Sequence, residues 1–468
     1  MPHTTDADQI RPSSLIRPSS FDAHHPPQKQ HIDDCVHCGF CLPVCPTYLL
    51  WGEEMDSPRG RIYMIKKAAE GAMPITGPFQ QHMDRCLGCM ACMTACPSGV
   101  EYNKLIEPVR AQLERNVPRS LADSLFRKLL FATFPHPDRL RQLALPLLAY
   151  QRSGLQTLVR RSGILRLLPR RLAAMEALLP QVPSHRSDGL PALIQPQSAP
   201  RMRVGMLSGC VQQVFFPHVN DATARVLAAE GCQIVTPQEQ GCCGALMLHS
   251  GMEADAAELA RRMIAAFDAA NVDAIVINSA GCGSTMKEYG ELLRDDPAWA
   301  ARAAAFSARC KDISEILCDL PPQAPRHPLP LRVAYHDACH LQHAQGVRQQ
   351  PRHLLAGIPQ LEVAEIPEGQ LCCGSAGVYN LLEPETANAL GDRKVDNLLT
   401  TNAQAVLSAN PGCLLQLMNG LRRRGLAAMP AFHMVELLDA SIRGVPADVL
   451  LGKTRAGAVM QTGGHDLR

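Results

Sequence analysis

Short apolar runs alternate with longer stretches of helical spacing across residues 201–445. Six of these runs are typical of buried strands, and they cover 204–207, 234–236, 274–278, 332–335, 361–366 and 405–407. Helical stretches, such as 221–230 and 254–270, lie between the runs. Strands that alternate with helices along the chain pair in parallel, with the helices covering the sheet faces. This half of the chain therefore predicts an α/β fold with parallel sheets.

The same half is an internal repeat that is marked by cysteines. The first copy contains Cys210, Cys242, Cys243 and Cys282, and the second, 129 to 131 positions later, contains Cys339, Cys372, Cys373 and Cys413. All of them follow predicted strands, and ligands of parallel sheets collect at the carboxyl ends of the strands. Each repeat is therefore predicted to gather a four-thiolate site for a cluster or a metal. Ordinary buried thiols are the alternative interpretation.

Eight further cysteines form two blocks near the beginning of the chain, each spaced Cys-x2-Cys-x2-Cys-x3-Cys-Pro. Such blocks bind 4Fe–4S clusters, and the cysteine before proline ligates the cluster of the other block in two-cluster ferredoxins. We assign cluster 1 to Cys35, Cys38, Cys41 and Cys96, and cluster 2 to Cys86, Cys89, Cys92 and Cys45. Zinc also binds sets of four cysteines, but it does not need this spacing twice. The region predicts a small, mostly helical domain with two clusters.

Four other residues in or between the blocks bear on the clusters. Gly39 and Gly88 leave room for backbone N–H groups to turn toward cluster sulfurs. Arg59 and Arg61 could raise the potential of a cluster through charge or a hydrogen bond. A solvated helix start is the equally weighted alternative for the two arginines.

Histidines and unmatched cysteines accompany the repeats. The histidines near the repeat cysteines are His249, His336 and His340. We interpret them as structural residues with satisfied hydrogen bonds. The cysteines without a counterpart in the other repeat, interpreted as ordinary thiols, are Cys232, Cys310 and Cys318.

Composition narrows the class of protein. The 468 residues include 46 Lys+Arg, 44 Asp+Glu and 19 Cys, with a net charge of +2, so nucleic acid is not an expected partner. No apolar run approaches the length of a membrane span, and the first residues lack the basic and apolar regions of a secretory signal. A cytoplasmic location is therefore expected. Many cysteines in such a chain indicate metal or redox use rather than disulfides.

Residues 104–180 are strongly basic, with 14 Lys+Arg against 5 Asp+Glu. Leucines with helical spacing, such as Leu155 and Leu158, lie beside Arg160 and Arg161. Amphipathic helices packed on the rest of the protein are one interpretation. A docking surface for a partner subunit or for the anionic face of a membrane is the other.

These observations divide the chain into six parts. We expect a disordered tail (1–30), a two-cluster ferredoxin-type domain (31–103), a basic helical segment with a Pro-rich linker (104–200), cysteine-rich repeat 1 (201–325), cysteine-rich repeat 2 (326–445) and a C-terminal tail (446–468). The predicted fold class is thus α+β and α/β combined.

Motifs for other cofactors are absent from the sequence. No Gly-x-Gly-x-x-Gly follows a strand, and there is no Walker A loop, Ser-His-Asp signature or zinc-protease signature. Nothing in the sequence is typical of a flavin or nicotinamide site. A chain with clusters but no hydride acceptor is expected to pass electrons for another subunit.

The sequence resembles the iron–sulfur subunit of bacterial glycolate oxidase (glycolate dehydrogenase). The residues that carry the resemblance are 34–41, 45–48, 57–63, 84–89, 95–100 and the two Cys-Cys-Gly repeats. It is also similar to the third subunit of anaerobic glycerol-3-phosphate dehydrogenase and to heterodisulfide reductase subunits. The resemblance covers residues 31–445.

The resemblance implies a complex in which FAD-containing subunits oxidise glycolate to glyoxylate. This chain would relay the electrons, with no catalytic residue of its own, toward a quinone at the inner face of the cytoplasmic membrane. One departure concerns the repeats, because the wider family often ends each repeat in Cys-x-x-Cys. Here Thr285 and Gln416 stand at the second cysteine positions, which puts a five-cysteine cluster in doubt.

Three alternative functions stay open at this point. The same role could serve lactate or glycerol 3-phosphate, which only the partner flavoprotein decides. The clusters, or zinc, could be purely structural in a scaffold protein. A thiol reductase of the heterodisulfide type is the third, and the missing second cysteines argue against it.

Overall fold

The computed structural model describes residues 20–183, 189–196 and 198–452. Its N-terminal module is helical and contains both cysteine blocks. The helices are α1 (Lys29–Asp33), α2 (Pro46–Trp51), α3 (Pro58–Ala69), α4 (Pro78–Arg85), α5 (Ala91–Thr94) and α6 (Asn103–Asn116), with a 3-10 turn at Glu54–Asp56. Ser57 caps α3 by accepting a hydrogen bond from the Gly60 N–H at 3.0 Å, and Pro58 begins the helix.

The N-terminal module is larger than the sequence predicted. Residues from α6, such as Leu105 and Val109, belong to the same hydrophobic core as α3 and α4, so the module extends beyond residue 103. The tail prediction was wrong for residues 20–30. Asp22 pairs with Arg115 at 3.1 Å, and Phe21 contacts the ring of Phe79. Residues 1–19 of the predicted tail lie outside the described residues.

Four helices follow the module, as the basic segment predicts. They are α7 (Leu121–Thr133), α8 (Pro137–Arg152), α9 (Leu155–Ser162) and α10 (Arg170–Ala177), with a 3-10 turn at Ile164–Leu167. The predicted linker to residue 200 is not wholly a linker. Leu193–Ile194 forms a short strand, β1, that pairs with the first sheet.

Repeat 1 is an α/β unit. Its elements are β2 (Met202–Met206), α11 (Cys210–Phe215), α12 (Pro217–Ala229), β3 (Cys232–Val235), α13 (Ala245–Leu248), α14 (Glu253–Ala270), β4 (Ala274–Ile277), α15 (Ala280–Lys287), α16 (Tyr289–Leu292), α17 (Ala300–Arg309), β5 (Cys310–Asp312) and α18 (Ile313–Asp319). The sheet order is β1-β3-β2-β4-β5. All neighbouring strands are parallel except β1, which is antiparallel to β3.

Repeat 2 has the same topology without the extra edge strand. Its elements are β6 (Leu331–His336), a π-helical turn (His340–Ala344), α19 (Gln349–Ala356), β7 (Leu361–Glu365), α20 (Tyr379–Leu382), α21 (Pro384–Leu399), β8 (Ala405–Ser408), α22 (Pro411–Arg423), β9 (Ala431–His433) and α23 (Met434–Ile442). The order is β7-β6-β8-β9, and all four strands are parallel. The predicted tandem repeats with parallel sheets are therefore confirmed.

The two repeats pack together through one hydrophobic core. Side chains from both sheets, such as Val204 and Val333, belong to it, and α12 packs on α23. Arg225 of α12 donates two hydrogen bonds to the Asp439 carboxylate of α23, at 2.9 and 2.7 Å. After α23 the chain forms one more helical turn, α24 (Ala447–Leu450). Residues 453–468 of the predicted C-terminal tail lie outside the described residues.

Candidate functional site

The first cysteine block forms a loop between α1 and α2. A cavity inside this loop is lined by Cys35, Cys38, Cys41 and Cys96. Cys38 is exposed, whereas its three partners are partly buried. The loop curls around the cavity because His37 and Gly39 have positive φ angles of 55° and 90°. The chain thus brings the last cysteine of the second block to the first three of the first block.

The second block lines a separate and more deeply buried cavity. Cys86 ends α4, Cys89 precedes α5, Cys92 lies within α5, and Cys45 reaches the cavity from the N-terminus of α2. All four side chains are buried. Cys92 also lines the first cavity, so the two cavities are immediate neighbours.

An arginine covers the glycine in each of these two loops. A side chain on Gly39 would collide with the guanidinium of Arg59, and one on Gly88 would crowd that of Arg110. Arg59 donates to the His37 carbonyl at 3.2 Å, and Arg110 donates to the Cys86 carbonyl. Each predicted cluster position therefore has a fixed positive charge beside its loop. The role of Arg110 was missed, because α6 lies after the motif and no spacing links it to the cysteines.

Arg61 is the centre of a buried polar network rather than a solvated helix residue. Its side chain is 1% exposed and donates to the carbonyl oxygens of Asp56 and His82, both at 2.7 Å, and to Thr47 at 3.2 Å. The Thr47 hydroxyl in turn lies 3.3 Å from the sulfur of Cys45. Arg61 thus ties the loop of Cys45 to the helix that ends at Cys86. The solvated interpretation was wrong for this arginine.

The pKa values of the thiols in the second cavity are shifted in opposite directions. Burial raises the pKa of Cys89 and of Cys92 well above the ordinary value. Burial also acts on Cys86, but the charges of Arg61 and Arg110 outweigh it and lower the pKa of that thiol. A bound metal cluster would offset the free energy that burial of these thiolates requires. The four sulfurs, the cations and the apolar walls fit a 4Fe–4S cluster in each cavity.

The four cysteines of repeat 1 meet at the carboxyl end of its sheet. Cys210 follows β2, Cys242 and Cys243 follow β3, and Cys282 lies in α15 after β4. Side-chain hydrogen bonds connect Cys242 to Cys210 and to Cys243, and Cys243 to Cys282. The predicted four-thiol group therefore exists in the fold, and its members are in contact.

Repeat 2 gathers its cysteines in the same way. The sulfurs of Cys339 and Cys372 are 3.9 Å apart, Cys372 contacts Cys373, and Cys373 contacts Cys413. Within this chain of contacts Cys372, Cys373 and Cys413 are buried. Both repeats can thus present four thiolates to a metal or a cluster.

Glycine after each vicinal pair is a geometric requirement. Gly244 and Gly374 have φ angles of 79° and 89°, a backbone conformation that residues with a side chain rarely adopt. Their N–H groups donate to the sulfurs of Cys242 and Cys372, both at 3.4 Å. A side chain at Gly374 would also meet the Ala387 backbone at 2.5 Å.

The three histidines that the sequence singled out have different roles. His249 Nδ1 lies 3.2 Å from the Glu107 carboxylate, and burial lowers the pKa of this imidazole to about 4. His340 Nε2 lies 2.9 Å from the Gly88 carbonyl oxygen. Both nitrogens of His336 lack a hydrogen-bond partner among the described residues. The interpretation as a satisfied structural residue was therefore wrong for His336.

The cysteines without counterparts lie away from the sites. Cys232 and Cys310 begin β3 and β5, at the opposite end of the sheet from the repeat 1 thiols. Cys318 lies in α18 and donates to the Gln350 carbonyl at 3.6 Å. Their positions agree with ordinary thiols, buried at Cys232 and Cys310 and partly buried at Cys318.

Repeat 2 packs directly on the second cluster loop. Leu87 and Cys89 share a hydrophobic cluster with Cys372 and Tyr379. Burial is the main cause of the raised pKa of Cys89, and the charge of the nearby Cys339 is the second. The thiol group of repeat 2 is thus a neighbour of the second cavity.

Repeat 2 in turn adjoins repeat 1 near their thiols. Ala280 of α15 belongs to one apolar cluster with Cys373 and Cys413. Its N–H donates to the Ala409 carbonyl at 3.1 Å. Contacts therefore run from the first cavity to the second, from the second cavity to repeat 2, and from repeat 2 to repeat 1.

The basic helical segment exposes an unusual number of apolar side chains. Among the described residues, 11 of the 17 exposed large hydrophobic side chains lie between Leu121 and Leu172, and Leu121 and Leu167 are 90% and 85% exposed. Lys128, Arg152, Arg161 and Arg166 are exposed as well, without an ion pair in the described part of the chain. Within that part, no helix is both long enough and apolar enough to cross a lipid bilayer.

Three protein-family models match the chain, over four stretches. The 4Fe-4S dicluster domain matches residues 31–100, and the cysteine-rich domain matches 204–287 and 333–418. Between them, residues 122–179 match the linker region of the glycolate oxidase iron-sulfur subunit. Iron–sulfur binding by the helical module is thereby supported independently of the cavities.

Curated relatives cover most of the chain. It is 43% identical over 415 residues to the "Probable glycolate oxidase iron-sulfur subunit" of Bacillus subtilis, covering 86% of this chain and 93% of that one. It is 35% identical over 412 residues to the glycolate oxidase iron-sulfur subunit of Escherichia coli, covering 87% and 93%. Lactate utilization protein A of Exiguobacterium is 29% identical over 241 residues, covering 51% of this chain and 98% of that one.

Proposed function

Because the chain belongs to the family of glycolate oxidase iron–sulfur subunits, we propose that it relays electrons from an FAD-containing partner that oxidises glycolate to glyoxylate. An electron-transfer role follows from family membership. The observation that carries the proposal is the pair of adjacent cavities, which the eight cysteines of the two blocks line between them. The flavin would reside on the partner, since the sequence has no flavin motif.

The proposed ligand sets cross between the two blocks. Cluster 1 would be held by Cys35, Cys38, Cys41 and Cys96, and cluster 2 by Cys86, Cys89, Cys92 and Cys45. When bound, a 4Fe–4S cluster accepts and releases single electrons. The protein's own contribution is to hold the two groups side by side. Arg59 and Arg110 place positive charge beside them, and the burial of the four cysteines of the second set would limit the access of water to cluster 2.

Electrons would enter at cluster 1, where the site approaches the surface. Cys38 is exposed, and the apolar side chains of Val36 and Phe40 beside it are 68% and 64% exposed. Apolar side chains around a redox site are suited to docking a partner protein. From cluster 2 the path would continue to repeat 2, whose Cys339 and Cys372 adjoin Cys89.

A quinone at the membrane is the proposed electron acceptor. The exposed leucines of α7–α9 fit an anionic lipid surface, as do Lys128, Arg152 and Arg161, which form no ion pair with any residue that the structure describes. Each cation near such a surface contributes about 1 kcal/mol, and each buried apolar side chain adds to the affinity. We therefore propose peripheral attachment through the basic helical segment.

Spectroscopy of the complete chain tests the central proposal. The chain is purified anaerobically with its flavoprotein partner, and iron, sulfide and EPR spectra are measured before and after addition of glycolate. About eight irons per chain are expected in the two ferredoxin-type clusters, with magnetically coupled signals that glycolate induces. Bound zinc in their place, or clusters that the reduced partner never reduces, would establish the scaffold alternative instead.

Substrate choice is tested by the same reduction assay. Lactate is the competing substrate, since lactate utilization protein A is similar over half of the chain. Glycolate is favoured because its relatives match nearly the full length. Reduction of the clusters by lactate but not by glycolate would reverse this choice.

Lipid binding is tested with vesicles. The chain is expected to float with vesicles that contain anionic phospholipid and not with neutral ones. Replacing Leu121 and Leu125, 90% and 72% exposed, by Glu should abolish flotation. The matched control is Leu426→Glu, at an exposed position that is remote in sequence from the basic helical segment. Equal flotation of all variants would exclude attachment through this surface.

A further inference from the structure

His336 is a buried imidazole without a visible structural purpose. It ends β6, is 1% exposed, and lies opposite Ser408 of β8. Neither ring nitrogen has a hydrogen-bond partner among the described residues, and the Ser408 hydroxyl has none either. Burying polar groups without hydrogen-bond partners is energetically unfavourable. A buried imidazole with two free nitrogens among the described residues is suited to bind a metal.

The ring of His336 faces the thiols of repeat 2. A nitrogen of His336 and the sulfurs of Cys373 and Cys413 all lie within 4.8 Å of one another, and all three residues are buried. The sulfurs of Cys339 and Cys372, 3.9 Å apart, continue the group. Three segments of the repeat therefore bring five potential metal ligands together.

A buried cation also adjoins this group. Lys394 is fully buried, and its ammonium donates to the Glu368 carbonyl oxygen at 2.6 Å. Its positive charge lies close enough to interact with Cys372 and Cys373. A fixed cation would offset part of the negative charge of bound thiolates.

The two repeats differ at the position of His336. Counting back by the offset between Cys339 and Cys210 places Leu207 there in repeat 1. Leu207 is buried in apolar surroundings. Gln416, at the position of the missing second cysteine in repeat 2, cannot substitute as a ligand because its amide bonds Asn380 and the Ala387 carbonyl.

We propose that repeat 2 holds a metal centre of mixed thiolate and imidazole ligation, in which His336 supplies a nitrogen ligand beside Cys373 and Cys413. Thiolate and imidazole together suit both zinc and the iron of iron–sulfur clusters. Repeat 1, with Leu207, lacks this nitrogen ligand. The proposal stands on the geometry of repeat 2 and does not depend on the substrate or the partner.

Metal analysis of the full-length chain and two variants tests the proposal. His336→Leu installs the repeat 1 residue and is expected to weaken metal binding in repeat 2 by about 10- to 100-fold or more. His336→Cys offers sulfur in place of nitrogen, so it should keep the metal but lose the nitrogen signature. His353→Gln is the control, because that side chain is exposed on α19 of the same repeat. It should change neither metal content nor spectrum.

The nitrogen ligand is observed directly in the unsubstituted chain. After labelling with 15N-histidine, an iron centre should show hyperfine coupling to one histidine nitrogen. If the metal is zinc, X-ray absorption should instead show one nitrogen among sulfur neighbours. Either result, lost in His336→Leu and in His336→Cys, supports the proposal and identifies the metal.

Two outcomes would overturn the proposal. One is the absence of histidine nitrogen at every metal in the unsubstituted chain. The other is a His336→Leu chain with unchanged metal content and spectrum. The coupled signal of the two ferredoxin-type clusters is recorded in the same samples and should persist in all variants. Its absence would count against the proposed function and not against the repeat 2 centre.

Discussion

His340 Nε2 lies 2.9 Å from the carbonyl oxygen of Gly88, and this contact joins residues 252 positions apart. His340 directly follows Cys339 of repeat 2, and Gly88 lies between Cys86 and Cys89 of the second cluster loop. The backbone of one proposed redox site is thus anchored to that of the next. His343 adds a second anchor, with Nδ1 2.7 Å from the Thr94 hydroxyl.

Removing this anchor should loosen the second cluster loop. We expect His340→Ala to lower the free energy of unfolding by about 1–3 kcal/mol, because the buried Gly88 carbonyl loses its partner. Bleaching of the clusters by oxygen should also become faster, measured by visible absorption. His353→Ala, at an exposed position of the same repeat, is the control. Equal bleaching rates in the two variants would contradict an anchoring role.

Arg61 and Arg59 lie on the same helix, but replacing each of them should change the free energy of unfolding by a different amount. Arg61→Met leaves the buried Asp56 carboxylate without one of its cationic partners. We expect a loss of about 3–5 kcal/mol in urea unfolding, the range for a broken buried ion pair. Arg59→Met, whose side chain is partly exposed, should change stability by about 1 kcal/mol or less. Similar losses in both variants would refute the distinction.

Arg59 should instead affect the potential of cluster 1. Removing its positive charge beside Gly39 makes reduction of cluster 1 less favourable. Arg59→Met is therefore expected to lower the reduction potential of that cluster. The shift should be tens of millivolts, about 59 mV being a tenfold change for one electron. A redox titration followed by EPR measures it. Lys67→Met on the same helix is the control, and an equal shift there would argue against a local effect.

The crossed ligand sets predict which cysteine variants behave alike. Cys96→Ser should perturb the same cluster signal as Cys35→Ser, although it lies in the other block. Cys45→Ser should likewise group with Cys86→Ser. EPR spectra of the four reduced variants decide the grouping. If Cys96→Ser matched Cys86→Ser instead, each cluster would take its ligands from a single block.

Two partly buried carboxyls between α6 and repeat 1, those of Glu107 and Glu288, should make stability pH-dependent. Burial raises the pKa of Glu107 to about 7 and that of Glu288 to about 8, from an ordinary 4.5. The folded state therefore holds these protons more tightly than the unfolded state. Their stabilising contribution is fully present below about pH 4.5 and is lost as the pH rises through 7 to 8.

Replacing Glu288 with Gln tests the direction of this pH dependence of stability. Gln keeps an oxygen for the hydrogen bond from Asn103, which is 2.8 Å long, but it cannot ionise. Unfolding by urea at pH 6 and pH 9 should show a fall in stability that is smaller in Glu288→Gln, by about 1–2 kcal/mol. The exposed Glu258→Gln should behave like the unsubstituted chain. A steeper fall in Glu288→Gln would reverse the assigned sign.

Sequence patterns predicted the six longer strands, but not the three shortest ones, which lie at sheet edges. β5 and β9 have three residues each, and β1 has two, so none presents a recognisable apolar run. Their pairing depends on strands that are already in place. The contribution of residues 20–30 was missed for a similar reason, since Asp22 finds its partners in α6 only after folding.

The sequence alone determined the chemistry, because thiolate spacing is local and ligand preference follows residue type. It predicted two cluster loops and two thiol groups at the ends of parallel strands. Only the tertiary structure decided what surrounds those sulfurs. Arg110, His340 and His336 reach their positions through packing between elements that are distant in the chain. No spacing rule encodes such contacts, because they depend on how the modules pack against one another.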